Sequence, residues 1–326
     1  MMHSFADVTR FIQSADHVLI TGHLHPDGDA IGSTLAAAWI CKSLGKTVTL
    51  VNDSDVPDRY LFLPDADQIQ PAEEVGRQFQ YVLALDCADE ARIGKVRHLF
   101  AEGVQICNID HHATNDLYGA VNRVVPDASS TVEILMDWVE ELEFPLDQTI
   151  ATCLYAGLLT DTGGFRYSNT SPKVLMQAAK LVGTGIAGHH LADRLLETVS
   201  FKELQLLQVA LSTLTLSSNR KVAWMVLTQD DFKGLDATSD DIGEIVNYAR
   251  NIEGVDVGIL FREESDHHIK VSLRSRGLVD VGEVAKSFGG GGHARAAGCS
   301  MDEKSMEVVK RQVLEAIYER LGGLPV

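Results

Sequence analysis

One short loop near the start of the chain carries a high density of groups that bind cations. Between residues 22 and 33 the imidazole and carboxylate side chains are His23, His25, Asp27 and Asp29. The loop follows an apolar run, residues 17–21, that predicts a buried strand, and it leads into residues 30–44, which predict a helix. Carboxylates this close repel one another unless a cation lies between them. The loop therefore predicts a metal site, with Pro26 and Gly28 as its turn residues.

Three more polar clusters follow apolar segments farther along the chain. They are Asp86 after residues 81–85, Asp110-His111-His112 after residues 104–109, and Asp161 after residues 154–159. The first two segments predict strands, whereas the third favours a helix. In an open parallel sheet, ligands bind beyond the carboxyl ends of the strands, where residues distant in sequence can meet. We therefore predict that these clusters converge with the first loop on one cavity.

The combined set of side chains indicates which cation would bind. It is rich in Asp and His and contains no thiolate, which favours Mn²⁺ over Mg²⁺, Co²⁺ or Zn²⁺. The carboxylates and imidazoles are also too many for a single ion. A pair of ions about 3.5–4 Å apart, bridged by one carboxylate, would use them all.

Each cluster taken alone has a simpler structural explanation. Asp27 or Asp29 could cap the predicted helix at its N-terminus. Asp161 with the following Thr and Gly could form a polar turn that ends a helix. His111 and His112 could be structural histidines, and His25 could be either a further ligand or a plain loop residue. It is their joint occurrence after predicted core segments that favours a metal site.

A glycine run near the C-terminal end predicts a second ligand-binding segment. Residues 289–292 are all glycine, and His293 follows them. Glycines free the backbone to approach a ligand and expose N–H groups to an anion. A flexible linker is the alternative explanation of such a run. Phe288 and the apolar residues 296–299, which predict a buried strand, argue against the linker.

These segments resemble, in order, the motifs of the DHH family of phosphoesterases, named after the Asp110-His111-His112 triplet. Residues 289–298 are similar to the signature of the C-terminal substrate-binding domain that accompanies the DHH domain. The resemblance extends over residues 17–298, which is nearly the whole chain. It is greatest to the stand-alone members that degrade very short RNA (nanoRNA) and dephosphorylate 3'-phosphoadenosine-5'-phosphate (pAp).

The resemblance implies a role for each polar residue of the first half. The implied ligands of the first metal are His23, Asp27 and Asp86. The implied ligands of the second are Asp29, Asp86, His111 and Asp161, so that Asp86 bridges the two ions. His112 would face the substrate as a catalytic residue, and Asp110 would orient a neighbouring imidazole.

The resemblance also implies which residues of the second half contact the substrate. The implied substrate-binding residues are Arg274, Ser275, Gly290, Gly291, Gly292 and His293. Arg274 would bind a terminal phosphate with both arms of its guanidinium group. Arg276, on the same face of the predicted strand, would be an exposed neighbour.

The order of predicted elements indicates an α/β protein of two lobes. Strands alternate with helices up to about residue 185, which predicts a parallel sheet with helices on both faces. We predict a DHH phosphoesterase domain with the metal site at residues 1–188 and a helical linker at residues 189–213. A smaller mixed-sheet α/β domain, the DHH-associated substrate-binding domain, would follow at residues 214–326. The active site is expected in the cleft between the lobes.

Composition constrains the cellular location and the partners. Lys and Arg number 28 against 46 Asp and Glu, a net charge of −18. This sign disfavours tracking along a long nucleic acid and favours short substrates with few phosphates. The absence of an apolar stretch of about 20 residues and of a signal-peptide pattern predicts a cytoplasmic protein without membrane attachment. The scattered cysteines predict buried reduced thiols. A homodimer through the first lobe is expected only from the resemblance.

The predicted function is hydrolysis of short oligoribonucleotides to mononucleotides and removal of the 3'-phosphate of pAp to give AMP. Two divalent ions would serve as cofactors, Mn²⁺ first, with Mg²⁺ or Co²⁺ as alternatives. The alternative functions are a signalling phosphodiesterase of cyclic or linear dinucleotides and an enzyme similar to inorganic pyrophosphatases. The glycine signature disfavours the pyrophosphatase, and the acidic charge disfavours an exonuclease of the RecJ type. A catalytically dead nucleotide-binding regulator would need a gap in the ligand set, which the sequence does not have.

Overall fold

The computed structural model describes residues 2–265, 268–302 and 305–322. By its internal contacts the chain divides into two compact units, one up to Thr198 and one from Val199 onward. The division falls inside the predicted linker, residues 189–213. In that segment a helix that ends at Ala192 is followed by a π-helical turn (Asp193–Glu197), by residues 198–200, which adopt no regular structure, and by a second helix (Phe201–Ser212). Among the described residues, no helix combines the length and the apolar character needed to cross a membrane.

The first unit is built on a parallel sheet of six strands within its described residues. The strands are β1 (His17–Thr21), β2 (Thr47–Asn52), β3 (Ile69–Pro71), β4 (Phe79–Leu85), β5 (Phe100–Asp110) and β6 (Val121–Val124). Their spatial order is β3-β2-β1-β4-β5-β6, and every neighbouring pair is parallel. The strand order therefore reverses between β1 and β4. Such a switch point, at the carboxyl ends of the strands, is where ligands bind in this class of sheet.

Helical segments cover both faces of this sheet, but they differ in kind. The α-helices of the unit are α1 (Phe5–Ser14), α2 (Gly28–Ser43), α3 (Thr131–Glu141), α4 (Gln148–Asp161), α5 (Pro172–Gly183) and α6 (Gly188–Ala192). α1 to α5 contribute residues to the larger core, which includes Ile20, Leu83 and Ile109 of the sheet. On the opposite face, Leu19 and Val82 pack against short 3₁₀ segments, chiefly residues 90–99. The continuous burial of residues 18–21 in β1 and 82–85 in β4 follows from this two-sided cover.

The second unit contains a mixed sheet with its own core. Its strands are β7 (Thr215–Leu216), β8 (Val222–Leu227), β9 (Val257–Ser265), β10 (His268–Ser275), β11 (Gly291–His293) and β12 (Ala296–Asp302). Its helices are α7 (Phe201–Ser212), α8 (Gln229–Leu235), α9 (Val246–Asn251), α10 (Val281–Lys286) and α11 (Met306–Arg320). The order is β11-β12-β10-β9-β8-β7, in which β8 and β9 are parallel and the other pairs antiparallel. The predicted fold class, two α/β units with a parallel and a mixed sheet, is confirmed.

Candidate metal centre and active site

The loop after β1 places His23 and Asp27 at the switch point of the sheet. Asp27 is the N-cap of α2, and its Oδ1 accepts hydrogen bonds from the backbone N–H of Asp29 at 3.0 Å and Ala30 at 3.1 Å. The capping explanation is therefore correct, yet the same Oδ1 lies 3.9 Å from His23 Nε2. His25, which is exposed, adopts a positive φ of 52° that turns the chain between the two residues.

Asp86 lies at the centre of the cluster, directly after β4. Its side chain is 3% exposed and its φ is 54°, in the left-handed region that few residues other than Gly, Asn and Asp adopt. Its Oδ2 lies 3.4 Å from His23 Nε2, and its Oδ1 lies 3.4 Å from His111 Nε2. The two oxygens of one carboxylate thus face imidazoles from two different loops. Thr131 Oγ1 donates a hydrogen bond to Oδ1 at 3.1 Å and helps to fix the group.

Asp29 and Asp161 complete the cluster from two helices. Asp29 is fully buried and accepts hydrogen bonds from the backbone N–H groups of Thr131 at 2.6 Å and Val132 at 3.0 Å, at the N-terminus of α3. That helix end, capped by the Ser130 side chain, favours a negative charge. Asp161 is the last residue of α4, and its Oδ2 lies 3.4 Å from His111 Nε2. The helix predicted for this segment is therefore confirmed.

His23 and His111 both direct their Nε2 atoms at carboxylates. His23 Nδ1 lies 2.6 Å from the Leu24 carbonyl oxygen, and His111 Nδ1 lies 3.3 Å from that of Ala128. A carbonyl can only accept, so each Nδ1 donates, and the neutral ring carries its lone pair on Nε2. Each Nε2 then faces carboxylate oxygens at 3.4 Å, which is repulsive unless a cation or a proton lies between them.

The spacing of these atoms fits divalent cations. Two ligand atoms, each about 2.0–2.2 Å from one ion, lie roughly 3.0–3.5 Å apart, which is the separation found here. Potential ligand atoms within 4.8 Å of one another form three groups, namely His23–Asp27–Asp86, Asp29–His111–Asp161 and Asp86–His111–His112. All six predicted metal ligands belong to these groups, and Asp86 joins the first to the third. The donor set of hard oxygens and imidazoles suits Mn²⁺, Mg²⁺, Co²⁺ or Zn²⁺.

The ionisation of the cluster reflects the close packing of like charges. Burial raises the pKa of Asp29 and of Asp161 well above the usual range, and neighbouring carboxylates add to the rise. Burial opposes charge on His23, but its contacts with Asp86 and the charge of Asp27 raise its pKa to about 9. Burial also raises the pKa of Asp86, but the facing imidazoles outweigh it and hold that pKa well below the usual range. Without metal, protons therefore take the place of cations in this cluster.

We expect metal binding to release protons, because His23 must lose its proton before Nε2 can bind a cation. With a pKa of about 9 in the metal-free protein, this residue is protonated at pH 6 and largely protonated at pH 8. The apparent Mn²⁺ affinity should rise with pH by about tenfold per unit for each proton displaced. Calorimetric titrations at pH 6, 7 and 8, in buffers of different ionisation enthalpy, measure both the affinity and the proton release. An affinity that does not change with pH would contradict this assignment.

His112 is held differently from the other imidazoles. Its Nδ1 donates to Asp110 Oδ1 at 2.7 Å, and that fully buried carboxylate also accepts from the His111 backbone N–H at 2.8 Å. The second oxygen of Asp110 accepts from Asn115 Nδ2 at 2.6 Å. Nδ1 is therefore engaged in orienting the ring, although it also lies 3.5 Å from Asp86 Oδ1. Such a fixed ring suits a proton donor or acceptor better than a metal ligand.

Two groups that support the site were not predicted. Asn115 links Asp110 to Asn108, with its Nδ2 2.8 Å from Asn108 Oδ1, and only its place in the polar loop after the histidines hinted at a role. Thr131 supplies the backbone and hydroxyl donors to Asp29 and Asp86. For this residue a signal existed, because Ser129-Ser130-Thr131 before an apolar run is typical of a helix start.

In the second unit, the glycine run leads into the sheet. Gly291–His293 forms β11 and pairs with β12, so the run is not a linker. A Cβ at Gly290 would lie 2.2 Å from the Gly298 carbonyl oxygen. A Cβ at Gly292, whose φ is 136°, would lie 2.6 Å from the Ala296 carbonyl oxygen. Close backbone approach therefore requires glycine at both positions, and His293 is exposed on the edge strand. Binding of substrate by Gly290, Gly291, Gly292 and His293 stays a prediction.

The two residues at the end of β10 have different surroundings. Arg274 is partly buried, and its Nη2 lies 3.4 Å from Glu244 Oε2. Ser275 is fully buried, and its hydroxyl lies 3.3 Å from Asp256 Oδ2 and accepts from the Gly277 backbone N–H at 2.9 Å. The contacts of Ser275 suit stabilisation of the turn after β10. A direct substrate contact of either residue stays a prediction.

Comparison with known proteins matches both units. Residues 17–158 match the DHH family, N-terminal domain, and residues 219–321 match the DHHA1 domain. A protein of Thermus thermophilus named bifunctional oligoribonuclease and PAP phosphatase NrnA is 35% identical over 98% of this chain and 94% of its own length. The Bacillus subtilis protein of the same name is 28% identical over 90% of this chain and 92% of its own.

Solved structures agree on the fold. An exopolyphosphatase-related protein from Bacteroides fragilis has a TM-score of 0.89 at 26% identity, covering 97% of this chain and 96% of that one. RecJ of Thermus thermophilus in complex with Mn²⁺ has a TM-score of 0.56 at 15% identity, covering 96% of this chain and 54% of that one. Matches to both domain models, together with a relative above 30% identity along nearly the full length, leave one conclusion: the chain belongs to the DHH family.

Proposed function

We propose that the protein is a metal-dependent phosphoesterase that degrades short oligoribonucleotides to mononucleotides and converts pAp to AMP. The observation that carries this proposal is the position of Asp86. Its two oxygens face His23 Nε2 and His111 Nε2, each at 3.4 Å, at the switch point of the sheet. One carboxylate between two sets of ligands is the arrangement that a pair of bridged cations requires.

The choice of substrates is supported by the named relatives. The Thermus and Bacillus proteins, both named bifunctional oligoribonuclease and PAP phosphatase, align with this chain over nearly their full lengths. The net charge of −18 agrees with short substrates, because a long polyanion would be repelled by the surface as a whole. A phosphate would instead be attracted locally, by bound cations and a few basic side chains.

The cluster offers ligands for two ions. His23, Asp27 and Asp86 would hold one, and Asp29, His111, Asp161 and Asp86 would hold the other. Divalent cations at such a site supply Lewis acidity toward a phosphate oxygen and lower the pKa of a water nucleophile. Asp29 is fixed for this role by the α3 backbone, and each histidine is fixed by the carbonyl group that its Nδ1 contacts.

His112 would move the proton that the leaving oxygen needs. Asp110 holds Nδ1, so Nε2 is the atom that would donate. Asp110 is in turn held by Asn115 and by the His111 backbone, which fixes the ring before the substrate arrives. Arg274 and the segment Gly290–His293 are proposed to bind the rest of the substrate, with the arginine on a terminal phosphate.

Product analysis tests the proposed substrates. Purified protein with Mn²⁺ is incubated with a 5'-phosphorylated diribonucleotide, pAp, a cyclic dinucleotide and pyrophosphate in parallel. We expect mononucleotides from the first two, lost in EDTA and restored by added Mn²⁺. Turnover of only the cyclic dinucleotide or only pyrophosphate would contradict the proposed substrates while keeping a metal-dependent hydrolase. No turnover of any substrate would contradict the function as a whole.

A further inference from the structure

Arg92 is a basic residue close to the metal cluster to which neither the motifs nor the mechanism above assigns a role. It lies in the 3₁₀ segment of residues 90–99 that follows Asp86. We propose that its guanidinium group binds a phosphate oxygen of the substrate on the His23 side of the cluster. The inference rests on the proposed function, because it adds a phosphate contact from the first unit to that same site.

The backbone of Arg92 is fixed against the metal-binding loop. Its carbonyl oxygen accepts a hydrogen bond from the Leu24 N–H at 2.8 Å, one residue after His23. Its own N–H donates to Asp89 Oδ1 at 3.0 Å. Gly94, with a φ of 67°, allows the close approach, since a Cβ there would lie 2.5 Å from the Leu24 side chain. The side chain of Arg92 therefore starts from a rigid point beside the cluster.

The guanidinium group of Arg92 is near enough to His23 and to Cys87, which follows Asp86, for its charge to act on both residues. A positive charge beside a cation-binding cluster disfavours the cations, so it does not serve metal binding.

The guanidinium group also has no acidic partner within residues 2–265, 268–302 and 305–322. None of the ion pairs or side-chain hydrogen bonds found there involves it, although Asp86 and Asp89 are close in sequence. Arg97, on the same segment, differs, because its Nε lies 3.2 Å from Glu90 Oε1. Arg92 is partly buried, so water solvates it incompletely. A guanidinium group that lies beside the cluster and pairs with no carboxylate is available to an anionic ligand.

The chemistry of the group fits phosphate. A guanidinium presents parallel N–H donors that match two phosphate oxygens, and it stays charged at every working pH. In a chain with a net charge of −18, one such group would contribute to the local attraction that a phosphorylated substrate needs. The simpler explanation, an arginine solvated at the surface, predicts no effect on ligand binding. The two explanations therefore differ in a measurable quantity.

Calorimetric binding of AMP to the Mn²⁺-loaded protein tests the inference independently of turnover. For Arg92→Gln we expect AMP to bind about 10- to 100-fold more weakly, because a charge-assisted hydrogen bond is lost. Arg97→Gln is the matched control and should bind AMP like the wild type. Adenosine, which lacks the phosphate, should bind both variants equally. Mn²⁺ affinity should be unchanged or tighter in Arg92→Gln, since a repelling charge is removed.

Several results would overturn the inference. Equal AMP affinity in Arg92→Gln and Arg97→Gln, or no AMP binding by the wild type, removes the phosphate contact. A parallel loss of Mn²⁺ affinity and AMP affinity makes Arg92 a structural residue of the loop. If Arg92→Gln does not fold, Arg92→Lys replaces it. Weaker AMP binding by the folded lysine variant, with unchanged Mn²⁺ affinity, supports a contact made by the paired guanidinium donors, and wild-type AMP affinity counts against it. An unfolded lysine variant counts against the inference. Failure of the proposed substrates would appear separately, in the product analysis.

Discussion

Replacing Asp86 with asparagine is expected to remove metal binding at both groups of ligands and to reduce turnover by about a thousandfold or more. Asparagine is the sharpest substitution because Asp86 has a φ of 54°, which asparagine also adopts with little strain. The change therefore removes the negative charge and leaves the backbone in place. The measurement is Mn²⁺ binding by calorimetry, together with kcat on pAp and on a 5'-phosphorylated diribonucleotide.

Asp127→Asn is the matched control for this prediction. Asp127 is an exposed aspartate on the loop that leads into α3, close to the cluster in sequence but outside it. The Asp127→Asn variant should bind Mn²⁺ and turn over substrate like the wild type. If Asp86→Asn kept two tightly bound ions and most of its activity, Asp86 would not bridge the site.

Replacing His112 with asparagine is expected to separate catalysis from metal binding. The amide can still donate to Asp110 from a position near that of Nδ1, which lies 2.7 Å from Asp110 Oδ1 in the native protein. The group that protonates the leaving oxygen is lost, so kcat should fall by about 10²–10⁴-fold. Mn²⁺ affinity should change little, because Nδ1 of His112 already contacts a carboxylate.

The exposed residue His98 provides the control for His112, since His98→Asn should leave both quantities unchanged. A loss of Mn²⁺ affinity in His112→Asn would also have a structural explanation. Asp86, His111 and His112 also form a group with ligand atoms within 4.8 Å of one another. A loss of Mn²⁺ affinity in His112→Asn that matches its loss of activity would make His112 a metal ligand.

Local patterns were sufficient to predict the elements that carry the ligands. β1 has the predicted bounds, residues 17–21, and β4 and β5 lie where apolar runs precede Asp86 and Asp110. The reason is physical, because strands buried on both faces must be apolar along their length. Their carboxyl ends then meet at one edge of the sheet, which is why ligands distant in sequence could be grouped. The short edge strands β3 and β6 gave no such signal and were missed.

The contacts that hold the ligands could not be predicted from local patterns. Asp29 is fixed by backbone N–H groups of α3, about a hundred residues away, and a pattern in one segment does not report such a partner. Gly157 on α4 is a second example. A Cβ there would lie 2.8 Å from Asp29 Oδ1, so this helix glycine leaves room for the carboxylate. Only the packing of α2, α3 and α4 reveals that requirement.

The linker segment shows what helical spacing does not report. The leucine-rich residues 190–211 predict a helical linker, and within that segment α6 and α7 are separate helices. A π-helical turn at Asp193–Glu197 and an extended Thr198 interrupt them. Ser200 then begins α7 by accepting a hydrogen bond from the Glu203 N–H. Apolar spacing reports a buried face, whereas the capping residue determines where a new helix starts.

The most direct test of a bridged pair of cations is electron paramagnetic resonance of the protein titrated with Mn²⁺. The wild type is predicted to bind two ions per chain and to give the spectrum of an exchange-coupled pair, because the two oxygens of Asp86 face both groups of ligands. Asp86→Asn should lose that coupled spectrum while Asp127→Asn keeps it. A single bound ion, or two ions with the spectra of isolated Mn²⁺, would contradict the two-metal site.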